Sequence, residues 1–579
     1  MVFRMRHPKR WFLLASVIFA LLFCIPYLGK DLLPIEHDTF FHVARIQALS
    51  DAIGHKDFLP AIFPLQNNGY GYASPLFYND LFLLPGALLV RLGMPVANSY
   101  KLLILLETML ASYAMMVLVY RISKKQSAAI LAGCAYVFAN YHVTDVYVRG
   151  ALGEVQALIF LPIVIEGVYI ILVENSRRWY MLAAGLACLL LSHNLTFLMG
   201  CILLVILCLL YVKTMTREQF ATLCKGVLAA FLMTVFFSLP MLQQLHSNTF
   251  YLDYYGSSSD LGAGSLGLWK YFAEKTVFGY SDNSLPHNRQ MVLNVGYFVT
   301  FAPLLWFAKK KEKNENSRFV TSLLIIGYIS ILLPCSLIPW DYMDVLRIMQ
   351  FPWRLLEIGL VCLCVPAGIA FSSFFQKKTL QVIAVCALCC EGIYHVVPVF
   401  TRTFGMTSTT SWQDVQNGKL CDPYYSATYM RVELAGGDYL PLPSVDYRTI
   451  KQEIMDSDLQ PLNISFEKDY NRLSFSLINK DTNKTIVLPL TWYLGYHLYR
   501  IYNGIKTEIQ IQPTEGGLVS FQADQAGNYI CVYESTILRN ICIAVSMICF
   551  VIVILLYLKD RNRCRTSANG TSNHDHQIF

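Results

Sequence analysis

Four stretches of the chain hold residue types that could act together on a polar substrate. The first reads Glu36-His37-Asp38-Thr39-Phe40-Phe41-His42. A carboxylate flanked by two histidines can take a proton from a hydroxyl, and Asp38 with His42 could ligate a metal. Asp38, His42 and Arg45 recur at helical spacing, so one face of a helix would carry all three. The plain alternative for Asp38 is an N-cap in water. The second stretch runs from Asp145 through Arg149-Gly-Ala-Leu-Gly to Glu154. Ionisable residues where a loop turns into an apolar span are costly and point to function. A mutual Arg149–Glu154 pair that only fixes the turn is the alternative. The third is Ser192-His193-Asn194, whose histidine suits either a ligand or a hydrogen-bonded structural role. The fourth is Arg347-Ile-Met-Gln350-Phe-Pro-Trp-Arg354. Its two arginines suit bidentate binding of phosphate, and Trp353 suits an interfacial anchor.

Positioning these groups falls to a membrane bundle. Of 579 residues, 55% are apolar and 15% charged, where soluble domains carry about 25% charged. Mean hydropathy is +0.43. A soluble enzyme, a disordered chain and a one-span receptor are excluded. Lys and Arg total 46 against 39 Asp and Glu, a net +7. The basic residues sit between apolar runs, not in one patch, so nucleic acid is not an expected partner. Cytoplasmic loops attract Lys and Arg. That rule orders twelve expected spans, at about 11–28, 100–120, 127–140, 155–173, 181–195, 197–212, 226–242, 292–307, 320–334, 355–371, 380–400 and 537–558. Both termini are then cytoplasmic, with a tail over 559–579. The apolar stretch 75–92 holds Pro75, Asp80 and Pro85 and is expected to lie along the surface without crossing.

With that topology all four stretches face outward. The external loops are 30–99, 243–291 and 335–354, on a membrane domain of residues 1–400. Residues 401–536 form an external region with period-two alternation at Leu473, Phe475 and Leu477 and turn dipeptides at Asn503-Gly504 and Gly516-Gly517. A small β-sandwich before the last span is expected. Most of the 17 cysteines lie in apolar runs, where they act as small apolar residues. Cys421 and Cys531 are the pair that could bridge in an oxidising compartment. No Walker sequence or Gly-rich nucleotide loop occurs, so ATP is not used directly.

Taken in order, Asp38-Thr-Phe-Phe-His42, Gly69-Tyr-Gly-Tyr-Ala-Ser-Pro75-Leu-Phe-Tyr78, Arg149-Gly-Ala-Leu-Gly-Glu154, Ser192-His193-Asn194-Leu-Thr196 and Gln350-Phe-Pro-Trp-Arg354 resemble a known bacterial pattern. The chain is similar to the membrane-protein family labelled 6-pyruvoyl-tetrahydropterin synthase-related and to the neighbouring YfhO family. Both belong to the GT-C type of glycosyltransferase. The pterin label itself fits poorly, because no zinc-binding histidine set is evident. The resemblance implies a GT-C-like bundle in a bacterial cell membrane, working among membrane lipids. It further implies a polyprenyl-phosphate sugar donor and a cell-envelope glycopolymer, glycolipid or protein as acceptor. It implies Asp38 as base or metal ligand, so a divalent ion stays an open option, as does Glu36 in place of Asp38. Asp38 and Glu154 are then the catalytic candidates. His37, His42, Arg149, His193, Arg347, Gln350 and Arg354 are the substrate-binding ones. A transporter or lipid flippase without chemistry is the rival reading. It would hold its ionisable residues near mid-membrane, not at span ends.

Overall fold

The computed structural model of the chain describes residues 8–27, 36–253, 260–273, 279–281, 283–287, 290–308, 314–401, 437–442, 452–478 and 483–572; the side chains of 397–401 and 560–572 are left aside. Thirteen helices of eight or more residues are described: α1 Pro8–Phe23, α2 Thr39–Gly54, α3 Leu84–Arg91, α4 Val96–Ser123, α5 Gln126–Phe138, α6 Leu152–Leu172, α7 Tyr180–Ser192, α8 Asn194–Tyr211, α9 Arg217–Ser247, α10 Glu315–Leu332, α11 Leu355–Phe374, α12 Lys378–Thr401 and α13 Ile537–Ser572.

Seven described helices are long and apolar enough to cross a bilayer: Val96–Ser123, Leu152–Leu172, Asn194–Tyr211, Arg217–Ser247, Pro352–Phe374, Lys378–Val396 and Ile537–Lys559. This is a multi-pass membrane bundle. The other five expected spans fall on shorter or more polar helices, among them Tyr180–Ser192 and Tyr297–Trp306. Burial ranks the spans. The apolar window of α6 is 94% buried and that of the last helix 17%, so α6 is the centre and α13 the rim. Close approach at the centre uses small residues. A Cβ on Gly167 of α6 would lie 2.7 Å from the backbone of Leu182 on α7. At the rim, Ser546 of α13 donates to the Leu232 carbonyl of α9 at 3.0 Å.

The surface stretch 75–92 is broken into Ser74–Phe77, a 3-10 turn at Leu81–Leu83 and α3. Eight residues of α3 reach about 12 Å, far short of a ~30 Å hydrocarbon core. Helix α2 is enclosed on all sides along its first half. Thr39 to Ile46 is buried without a break. Val43, Ile46 and Leu49 pack into the bundle, while Phe41 packs with Tyr70, Tyr72, Val487 and Leu518 under the sheet domain. A periodic pattern cannot tell water from a polar cavity or a second domain, and α2 has those on its other sides.

The sheet domain has eight strands: β1 Phe466–Asp469, β2 Arg472–Leu477, β3 Lys484–Thr491, β4 Tyr496–Tyr502, β5 Ile505–Ile509, β6 Gln512–Pro513, β7 Leu518–Ala523 and β8 Gly527–Tyr533. They form sheets in the orders β1-β2-β8-β4-β5 and β3-β7-β6. Leu473, Phe475, Leu498 and Cys531 of the first share one core with Ile486, Leu488, Val519 and Phe521 of the second. The two sheets make a sandwich. Cys531 is buried in it, and Cys421 lies outside the described residues, so their pairing does too. The segment 437–442 is stitched to the end of α9. Leu252 donates to the Asp438 carbonyl at 2.8 Å, and Tyr251 to Leu440 at 3.1 Å.

Candidate active site

Local backbone features bring the first two stretches together. Asp145–Arg149 forms a single π turn, a rare element that redirects side chains. Gly150 ends it in the left-handed region, at φ +60. Gly153 lies so close to Tyr78 that any Cβ there would collide with the phenol oxygen. Against this turn the first loop is pinned by backbone bonds. His37 donates to the Val148 carbonyl at 3.2 Å, and Asp38 to that of Arg149 at 2.8 Å. Asp38 stands at the N-cap of α2, yet its carboxylate makes no capping bond. The cap alone therefore does not account for it.

The nine residues singled out in the sequence, His37, Asp38, His42, Arg149, Glu154, His193, Arg347, Gln350 and Arg354, all line one cavity of about 1120 Å³. Tyr78, Tyr280, Asp253, Asp260, Asp438 and Tyr439 line it too. Asp438 arrives through the stitched segment before the sheet domain, and nothing local in the sequence marks it. Glu36, the alternative acid, does not line the cavity. It is buried, accepting from Tyr27 at 2.7 Å and Tyr100 at 3.5 Å, and from Thr39.

At the floor of the cavity Glu154 is filled by donors. Arg149 gives it two bonds, 2.7 and 2.9 Å, Arg354 one at 3.0 Å and Tyr141 one at 2.9 Å. Arg149 also meets Asp145 at 2.6 Å and lies 4.4 Å from the centre of the Trp353 ring. Trp353 is 1% exposed, so it is a stacking partner inside the protein and not the interfacial anchor its position suggested. Arg354 donates to Gln350 at 2.7 Å and to the Met349 carbonyl at 2.9 Å through Nη1, and among the described residues its Nη2 makes no hydrogen bond. Arg347 sits higher, paired with Asp344 at 2.9 Å, its side chain 43% exposed. Arg45 does not join the cavity. It is buried against Asp80 at 2.6 Å and stacks over Tyr78.

The histidines are kept neutral. Burial, helped by the Arg149 charge, lowers His37 to about 3. Burial lowers His193 to about 3, and holds His42 well below its usual range with Arg45 and then His193 adding to it. His193 also caps α8, its Nδ1 2.8 Å from the Thr196 hydroxyl, which donates to Glu357 at 2.8 Å. Sequence reading missed Glu357, which lies inside an apolar span. Asp38 is raised, first by burial; Arg149 and Arg354 pull it down and Glu154 pushes it up. Asp438 is pushed up to about 7 by burial and by Asp38. Among the described residues no three His, Cys, Asp or Glu side chains converge on one point. His42 turns its Nδ1 to Arg45 at 3.2 Å. This donor set does not fit a divalent ion.

The family model described as bacterial membrane protein YfhO matches residues 65–419, more than half of the chain. That match holds Arg149, Glu154, His193, Arg347, Gln350 and Arg354, while His37, Asp38 and His42 precede it. The label naming a pterin synthase finds no support. No curated protein matches. Among solved structures, the chain is similar to the arabinofuranosyltransferase AftD from Mycobacteria at 14% identity and a TM-score of 0.40, over 68% of this chain and 27% of that one. A mutant form of that enzyme gives 13% identity and a TM-score of 0.42, over 66% and 28%. The chain thus spans little more than a quarter of those proteins.

Proposed function

The chain belongs to the YfhO family of bacterial membrane proteins, and from that premise we propose that it is a membrane glycosyltransferase. In this reading it moves a sugar from a polyprenyl-phosphate donor to a cell-envelope acceptor on the outer face. One observation carries it: arginines, a basic carboxylate and neutral imidazoles line a single cavity at one end of the spans. A transporter would need such groups at mid-membrane.

The donor's phosphate rests on Arg354 Nη2, with Arg347 at the mouth and Arg149 behind. As the bond from the anomeric carbon to the phosphate oxygen breaks, its electron pair leaves with the polyprenyl phosphate. The guanidinium groups stabilise that growing charge. The acceptor hydroxyl forms the new bond to the anomeric carbon and gives its proton to Asp38. A carboxylate with a raised pKa is the stronger base for that step. Glu154, occupied by four donors, aligns Arg149 and Arg354 and does not touch the reacting atoms. His37, His42 and His193, being neutral, can accept from or donate to sugar hydroxyls without adding charge.

The test is transfer of labelled sugar from a panel of undecaprenyl-phosphate hexoses to a cell-envelope fraction, catalysed by purified protein in liposomes. Incorporation that needs both the protein and the lipid-linked donor is expected. Movement of intact donor across the bilayer with no incorporation would sink the transferase and leave the flippase.

A further inference from the structure

Between α10 and α11 the chain leaves the bundle and returns at the same end, so both ends of this segment are held at one level. It is built from two 3-10 turns, Trp340–Tyr342 and Asp344–Met349. With three residues per turn, positions three apart share an edge. Burial follows three such edges. Trp340 is 1% exposed, and Met343, Leu346 and Met349 below it are half-buried. Asp341, Asp344 and Arg347 make a polar edge, closed by the Asp344–Arg347 pair at 2.9 Å. Tyr342, Val345 and Ile348 make the third, and they are 88%, 85% and 62% exposed. Leu337, ahead of the turns, is 76% exposed as well.

An apolar row this bare, outside the spans, has to be covered by something. We propose that the Tyr342–Val345–Ile348 edge docks into the lipid leaflet at that end of the bundle. The occupant follows from placement and chemistry. The row is tied on one side to Leu332 and Leu333, both exposed at the end of α10, and on the other to the span that begins at Pro352. Few residues separate it from either, so it lies near the level where those spans leave the hydrocarbon. Tyrosine and arginine are residues of that interface. Arg347, one edge away, meets the headgroup phosphates while its pair with Asp344 limits the charge brought to the surface. Arg347 and Ile348 also line the cavity, so the docked edge holds the cavity mouth at headgroup level. The docking itself does not depend on the transferase reading, and its test needs no sugar.

Val345→Trp, in the full chain, adds one reporter to eight native tryptophans, whose signal is subtracted using the wild type. The probe is a vesicle of phosphatidylcholine and phosphatidylglycerol whose acyl chains carry bromine near the headgroup. The expected result is loss of most of the added emission to bromine, and little to iodide in the water. Emission that bromine leaves intact overturns the proposal: iodide then removes it if the edge meets water and spares it if a protein covers the edge. Tyr342→Trp, an aromatic exchange at the most exposed position of the edge, gives the same readout if the valine variant folds poorly.

Discussion

Glu154 and Asp38 are both carboxylates of one cavity, and the geometry assigns them opposite consequences when each is neutralised. Glu154→Gln keeps the shape but removes the anion that two buried guanidinium groups share. Its amide would also turn an N–H toward a donor. Removing one partner of a buried ion pair costs about 3–5 kcal/mol. Asp145 still faces Arg149 at 2.6 Å, which favours the lower end of that range. A loss of ~3 kcal/mol should lower the melting temperature of a chain this long by roughly 2–3 °C. Asp38→Asn removes a carboxylate that makes no capping bond and whose charge burial disfavours, so its stability should not fall. Its transfer rate should fall roughly 10²–10⁴-fold with the base gone. Tryptophan-fluorescence melts in detergent and sugar transfer at matched protein give both numbers. A Glu154→Gln protein that melts like the wild type but no longer transfers would make Glu154 a chemical group and not a scaffold. Full transfer by Asp38→Asn would leave the cavity without its base.

Arg354→Lys should raise the KM for the lipid-linked donor and Arg354→Ala should raise it further, because lysine keeps the charge but loses the planar fork; equal KM in wild type and lysine variant would remove Arg354 as the phosphate ligand. Because burial raises Asp38, the acid limb of the pH–rate profile should lie above the ~3.9 of an ordinary aspartate, with transfer falling as pH drops through it; a limb at or below that value contradicts the base assignment. Glu36, raised by burial to about 8 from 4.5, holds a proton in the folded state that the unfolded chain has lost. Its stabilising effect is full below pH 4.5 and declines as pH rises towards 8, so Glu36→Gln should flatten the loss of melting temperature across that window, and an unchanged slope would refute it. Reporter fusions after Lys125 and Lys313 should read cytoplasmic and a fusion after Ser284 external; a cytoplasmic Ser284 would put the cavity on the wrong face for an outer-leaflet donor.

How much of this was legible in the sequence depended on the range of the interaction. The Arg149–Glu154 stretch was readable because the turn is local. Two glycines and a short spacing fix where both charges go. The convergence of His37, Asp38, His193 and Arg354 was readable only through topology, since alternating basic loops assigned their span ends to one side. Trp353 was misjudged because an aromatic at a span end looks the same whether it meets headgroups or a guanidinium. Its stacking partner is some two hundred positions away in the chain. The periodicity of helix α2 marked the face of Asp38, His42 and Arg45 but is blind to the sheet domain that covers Phe41.

Asp438 and Glu357 show the limit from two directions. Glu357 lies in an apolar span, where its neighbours give no sign that Thr196 will donate to it. Asp438 lies in a polar stretch, where one more acid is unremarked. It becomes part of the cavity only because Leu252 and Tyr251 hold the 437–442 segment by backbone bonds that have no side-chain signature. Its raised pKa then follows from burial in that place and, after it, from Asp38 nearby, not from its own sequence context. The sheet domain is therefore more than an appendage after the spans. The segment leading into it, tied to it by the bond from the Tyr493 hydroxyl to the Tyr439 carbonyl at 2.9 Å, supplies a second carboxylate near Asp38, so the cavity wall is assembled from residues that no single stretch of the chain contains.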